Sequence, residues 1–144
     1  MIIDAHAHLW KKQKGIVNGK PVYDVGGGKS YFGGEIRQMM PPYITDGENS
    51  VERFIANMDY AGVSGAVITQ EYIDGNQDDY LLDCKKAFPD RIKICALYEE
   101  KEMGNIDGYD GIKICLITLN HLKLQMKRGC LFPLTLLMVM SRQI

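Results

Sequence analysis

Short apolar runs alternate with helical stripes along this chain, and that alternation restricts its fold more than any other feature. Residues 1–9 read as a strand opened by Met1, Ile2 and Ile3, after which Asp4, His6 and His8 share one face by period-2 alternation. A helix follows, capped by Asn49 or Ser50, with Glu52 in its first turn and Val51, Phe54, Ile55 and Met58 at i, i+3, i+4, i+7. Gly62 stands where a left-handed C-terminal cap belongs. Ala66–Thr69 reads as a buried strand. Asp78 or Asp79 then starts a second helix, with Leu81, Cys84 and Phe88 on its inner face and Pro89 as its stop. Ile92–Tyr98 is a third strand, Glu99–Met103 a short helical segment, and Gly111–Leu116 a fourth strand. Strands that alternate with helices pair in parallel through right-handed crossovers. The class is therefore α/β, either half a turn of a (β/α)8 barrel or a small doubly wound sheet. Element order does not separate the two.

Two stretches depart from this regularity. Residues 11–48 form a long irregular segment rich in Gly and Pro, the composition of a lid or binding loop as much as of a loose insertion. From Asp110 to Ile144 no acidic residue follows, and Leu131–Met140 has no polar face. Residues 117–144 read as an atypical tail in which truncation or a frameshift has broken the design. The competing reading is a buried helix over Leu131–Met140, and Thr118–Arg128 also has a helical pattern.

Composition narrows the function. Seventeen basic against 18 acidic residues, a formal charge of -1, give no electrostatic reason for a nucleic-acid partner. No apolar run reaches the ~20 residues of a membrane helix. The N-terminus lacks a basic leader, so the expected location is cytoplasmic. Cys84, Cys95, Cys115 and Cys130 form no C-x-x-C pair and read as free buried thiols.

His6 and His8 carry the chemistry. Two imidazoles at i, i+2 on a strand point the same way and can converge on one metal ion as neutral nitrogen ligands. They lie at the C-terminal end of their strand, where active sites of barrels and open α/β sheets sit. Asp4, on the same face, is placed to orient a ligand from behind it.

The segment Ile2-Ile3-Asp4-Ala5-His6-Ala7-His8-Leu9-Trp10 resembles the opening strand of the amidohydrolase superfamily, in its amidohydrolase-related branch. Glu52–Val63 with Ala66-Val67-Ile68 is similar to that branch's first helix and second strand. Phe88-Pro89-Asp90-Arg91-Ile92 and Gly111-Ile112-Lys113-Ile114 resemble it too. The likeness covers residues 1–116, the N-terminal part of a metal-dependent (β/α)8 TIM barrel, here incomplete at about four strands. It implies a divalent metal, expected to be zinc, held by His6 and His8, and hydrolysis of a small carbonyl substrate such as a lactone or amide through a metal-activated water. Some members of the branch decarboxylate instead.

The likeness also implies further metal ligands and a catalytic Asp on strands five to eight, which nothing here matches. His121 lies in the tail and takes no ligand role, and no catalytic residue is assigned. The expectation for the chain as it stands is an inactive or impaired enzyme, or a non-catalytic half-barrel that pairs its open edges with a second copy. Gln70, Glu71 and Tyr72 follow the second strand, and Glu71 and Lys113 are candidates for the substrate site. Lys113 must be paired or hold an anionic substrate group if its face is the barrel interior; the simpler reading is a solvated lysine at a strand end. Trp10 and Tyr98 read as packing residues. Gly26-Gly27-Gly28-Lys29-Ser30 fails as a phosphate loop, because Tyr23 stands where the first glycine is required.

Overall fold

A computed structural model describes residues 1–71, 73–97, 106–115 and 137–140. Its centre is a five-stranded parallel sheet of β1 (Ile3–Ala7), β7 (Gly65–Ile68), β8 (Ile92–Leu97), β9 (Gly111–Cys115) and β10 (Leu137–Met140), in that order. Between β1 and β7 the chain builds β2 (Ile16–Val17) with β3 (Lys20–Pro21), then an antiparallel ribbon of β4 (Tyr23–Gly26), β5 (Lys29–Phe32) and β6 (Glu35–Gln38). Helices α1 (Val51–Ala61) and α2 (Asp78–Ala87) make the crossovers that bring β7 and β8 back parallel. The architecture is part of a (β/α)8 barrel.

Local chemistry places these elements. Ser50 caps α1, its hydroxyl accepting from Arg53 N–H at 3.4 Å, and Gly62 ends the helix in the left-handed region at φ 69°. Asn49, the other capping candidate, has a different task and donates to the His8 carbonyl at 2.6 Å. In α2 the acidic Asp78 and Asp79 of the first turn and Lys85 and Lys86 of the last complement the helix dipole. The apolar stripes of both helices bury Val51, Ile55, Met58, Leu81 and Cys84 against Ala7, Leu9, Ala66, Ile68, Ile92 and Ile94 of the sheet. Each large side chain so buried contributes roughly 1.5–3 kcal/mol. The helix-covered face of the sheet is therefore the apolar one, and the opposite face is left for polar side chains. Buried Cys84 and Cys95 are free thiols, and desolvation pushes Cys95 up to about 11.

Three expectations change. The stretch 11–48 is not irregular but a pair of small antiparallel sheets, because its glycines close hairpins. Among the described residues the parallel sheet has five strands rather than four. Leu137–Met140 extends alongside β9 instead of forming a helix, since a short apolar run without a polar face suits a strand paired on a sheet as well as a buried helix. The helical segments Glu99–Met103 and Thr118–Arg128, with Tyr72, Tyr98, His121, Cys130 and the Cys115 side chain, lie outside the described residues.

Candidate metal centre

The site grows from the end of β1. Here β1 and β7 slip register: Asp4 pairs Ala66 and Ala7 pairs Ile68, so β1 carries one residue more than its partner. Such a bulge interrupts strict alternation and re-aims side chains. The Asp4 carboxylate accepts from the backbone N–H of His6 at 3.0 Å and so holds the bulged backbone.

His6 and His8 do converge. Their rings meet edge to face with centroids 4.6 Å apart. His8 Nδ1 lies 3.0 Å from the Thr69 carbonyl, with the Thr69 hydroxyl at 3.4 Å. A ring N–H donated to that carbonyl leaves Nε2 of His8 as the free, basic nitrogen. The backbone around it is clamped by Thr69 N–H to the Ala7 carbonyl at 2.8 Å and by the Asn49 side chain on the His8 carbonyl. Nε2 of His6 is buried and has no hydrogen-bond partner among the described residues. Burial lowers the pKa of both imidazoles, and the charge of Lys113 lowers them further. Both rings are therefore neutral at neutral pH, the state in which histidine ligates metal.

Glu71 completes the cluster. It lies just beyond β7, and its carboxylate and one nitrogen of each imidazole all lie within 4.8 Å of one another. Among the described residues this is the one such grouping of His, Cys, Asp and Glu. Two imidazoles and a carboxylate are a donor set that catalytic zinc uses, with a position left open. An orphaned buried nitrogen beside such a set fits a metal better than it fits an apolar core, where that nitrogen would go unsatisfied at a cost of about 1–3 kcal/mol. Spacing alone marks His6 and His8 as candidate ligands, whereas the sequence offers Glu71 only as a substrate-site candidate. The signal for it was its place two residues past Thr69, at the C-terminal end of the strand that pairs β1.

Lys113 reaches the same cluster from β9. Its side chain is 0 % exposed, and its ammonium is paired with the Glu71 carboxylate. The solvated lysine expected at a strand end is therefore overturned: the lysine faces the polar side of a curved sheet, and Glu71 is its counter-charge. Gln70 serves the loop instead of the site, accepting from Gln77 N–H at 2.9 Å and donating to Asp78 at 2.7 Å. Buried Asp74 is pushed up to about 6 by desolvation, against the hydrogen bond it accepts from Gln13. Trp10 is a packing residue as expected, buried and donating to the Gly47 carbonyl at 2.8 Å.

Residues 3–104 match the sequence profile of the family described as Amidohydrolase. The chain belongs to the amidohydrolase family. Among solved structures, this amidohydrolase-family chain is similar to that of a probable 2-pyrone-4,6-dicarboxylic acid hydrolase from Acinetobacter baumannii with citric acid bound. The two are 21% identical with a TM-score of 0.51, over 81% of this chain and 38% of that one. At that identity the likeness concerns the fold, and the chain spans well under half of the other's length. No curated protein matches the chain. Among the described residues, no helix is long and apolar enough to cross a membrane.

Proposed function

We propose that this chain provides the metal-binding part of a hydrolase site acting on a small carbonyl substrate, a lactone, an amide or a related bond. One observation carries the reading: His6, His8 and Glu71 bring one ligand atom each within 4.8 Å of one another, and the buried Nε2 of His6 has no hydrogen-bond partner among the described residues. His6, His8 and Glu71 would hold one divalent ion, and two imidazoles with a carboxylate suit zinc. Such an ion, when bound, polarises a carbonyl and lowers the pKa of water to ~7.

The chain's own residues do the rest. Thr69 holds His8 in the tautomer that presents Nε2, and Asn49 and Asp4 fix the backbone on either side of the pair. The site lies at the C-terminal end of β1 and β7, the end at which barrel enzymes bind substrate. The name of the structural neighbour, a hydrolase of a pyrone dicarboxylic acid, agrees with a lactone-like substrate.

The test is metal content of the gently purified chain by mass spectrometry, beside a His6→Ala/His8→Ala control. The expected result is about one equivalent of zinc, lost in the control. Lactone or ester turnover should be chelator-sensitive and should vanish in the same control. Absence of metal from both proteins would sink the reading.

A further inference from the structure

Seven polar or charged residues are buried among the described ones. A buried polar group is costly unless it is paired, so their placement needs a reason. Two of them hold the metal cluster directly: Thr69 through its carbonyl against His8, and Lys113 as the counter-charge of Glu71. The other five, Gln13, Ser30, Gln70, Asp74 and Gln77, form one connected network around the loop that carries Glu71.

Glu71 is the ligand that needs such support. His6 lies within β1, and His8 just past it is clamped by Thr69 and Asn49. Glu71 lies beyond Ile68, the last residue of β7, where strand pairing no longer fixes it. Its carbonyl accepts from Asp74 N–H at 3.0 Å. Asp74 is in turn held at main chain and side chain. Its carbonyl accepts from Lys14 N–H at 3.0 Å and from the Gln77 side-chain amide at 2.8 Å. Its carboxylate accepts from the Gln13 amide at 3.4 Å. The Gln77 amide also donates to the Lys12 carbonyl at 3.0 Å, and the Gln77 backbone N–H donates to the side chain of Gln70, the residue before Glu71, at 2.9 Å. Oε1 of Gln13 accepts from the Ser30 hydroxyl on β5 at 2.9 Å. At Gly75 the two segments meet closely, and a Cβ there would lie 2.9 Å from the carbonyl carbon of Lys14.

We propose that Gln13, with Ser30 behind it, is a positioning residue for Glu71: the brace fixes the loop beside the two imidazoles before any ion arrives, and so couples the ribbon of β4–β6 to metal affinity. The inference rests on the metal reading above and adds to it residues remote from the ligands. Gln13 carries the coupling because its one amide bonds both Ser30 of the ribbon and Asp74 of the loop. A buried network whose members are paired stiffens what it holds. A loop ordered in advance spares binding the cost of ordering it, which is the gain of preorganisation. Partners of metal ligands act this way even without touching the ion, and their loss typically weakens metal binding by about 10–100-fold.

The experiment measures the zinc dissociation constant of the full chain by competition with a chromophoric chelator, well below the unfolding temperature, with circular dichroism as the check on folding. The proteins are wild type, Gln13→Leu, Ser30→Ala, His8→Ala and Ile55→Val, the last a core truncation outside the brace that lowers stability alone. Gln13→Leu should weaken zinc about tenfold and Ser30→Ala about threefold. Ile55→Val should leave the constant at the wild-type value, and His8→Ala should abolish binding. A merely structural role for Gln13 and Ser30 would lower the stability of their variants and leave zinc affinity unchanged. That result, with zinc still dependent on His8, would overturn this inference and leave the metal reading standing. Equal weakening in Ile55→Val and Gln13→Leu would overturn it too, since lost stability would then account for both. Zinc bound by no protein would overturn both readings. Should Gln13→Leu fail to fold, Ser30→Ala against Ile55→Val decides alone.

Discussion

The pair Glu71–Lys113 is asymmetric, and the asymmetry predicts unequal costs. Lys113 is buried completely, whereas Glu71 keeps 31 % of its side chain exposed. Glu71→Gln strands an ammonium in the interior, for which roughly 3–5 kcal/mol is the expected loss. Lys113→Met strands only a carboxylate that water can reach, at about 1 kcal/mol or less. Urea unfolding of both variants in chelator measures the difference, and equal losses would contradict the burial argument. The same pair shows where sequence reading ends at this scale. His6 and His8 were legible because period-2 spacing fixes a shared direction on any strand. The carbonyl that sets the tautomer of His8 was not, since Thr69 contributes a backbone atom that every residue possesses. The bulge between Asp4 and Ala7 and the pairing of Lys113 on β9 with Glu71 depend on register across the sheet, which local pattern does not encode.

At the scale of elements, caps and stripes were read well because each is a short-range effect: Ser50 and Gly62 bound α1 as their chemistry requires. The ribbon was missed for a physical reason. All four residues of β6 are exposed, so it has no apolar alternation to announce a strand. Its order comes instead from backbone pairing and from Gly28. That glycine has φ +71°, and a Cβ there would lie 2.4 Å from the Met40 carbonyl oxygen and 2.5 Å from that of Pro41. The same residue's carbonyl accepts from the N–H groups of Met39 and Met40 at 3.0 and 2.9 Å. Backbone atoms bound so closely cannot retreat without breaking the ribbon. Gly28→Ala is therefore expected to cost roughly 2–4 kcal/mol, from left-handed strain plus the clash. Ser50→Ala, which removes one cap, is expected to cost about 1 kcal/mol. Urea midpoints of the two variants give the comparison, and a Gly28→Ala protein as stable as wild type would show that the ribbon adapts.

For the molecule as a whole, the alternation of elements was enough for a parallel α/β sheet, and the residue likeness was needed to choose the barrel. The placement of Leu137–Met140 beside β9 is a long-range pairing that no local signal carries. The His6–His8–Glu71 cluster has the same long-range character, because His8 and the Thr69 carbonyl it contacts are 61 residues apart in the chain. An ion held by His6, His8 and Glu71 would tie the end of β1 to the loop after β7 and so link elements that the sheet already pairs. Since the unfolded chain cannot present those three ligands together, metal binding must stabilise the folded state by mass action. At free zinc about 100-fold above its dissociation constant the gain is about 2.7 kcal/mol, a rise in melting temperature of roughly 10 °C for a domain of this size. Thermal unfolding with zinc and with chelator should show that rise in wild type. In His8→Ala the two curves should superimpose at the chelated wild-type value or slightly below it. A zinc-dependent rise that survives His8→Ala would place the stabilising ion elsewhere on the molecule and would remove the support that this cluster gives to a metal-dependent chemistry.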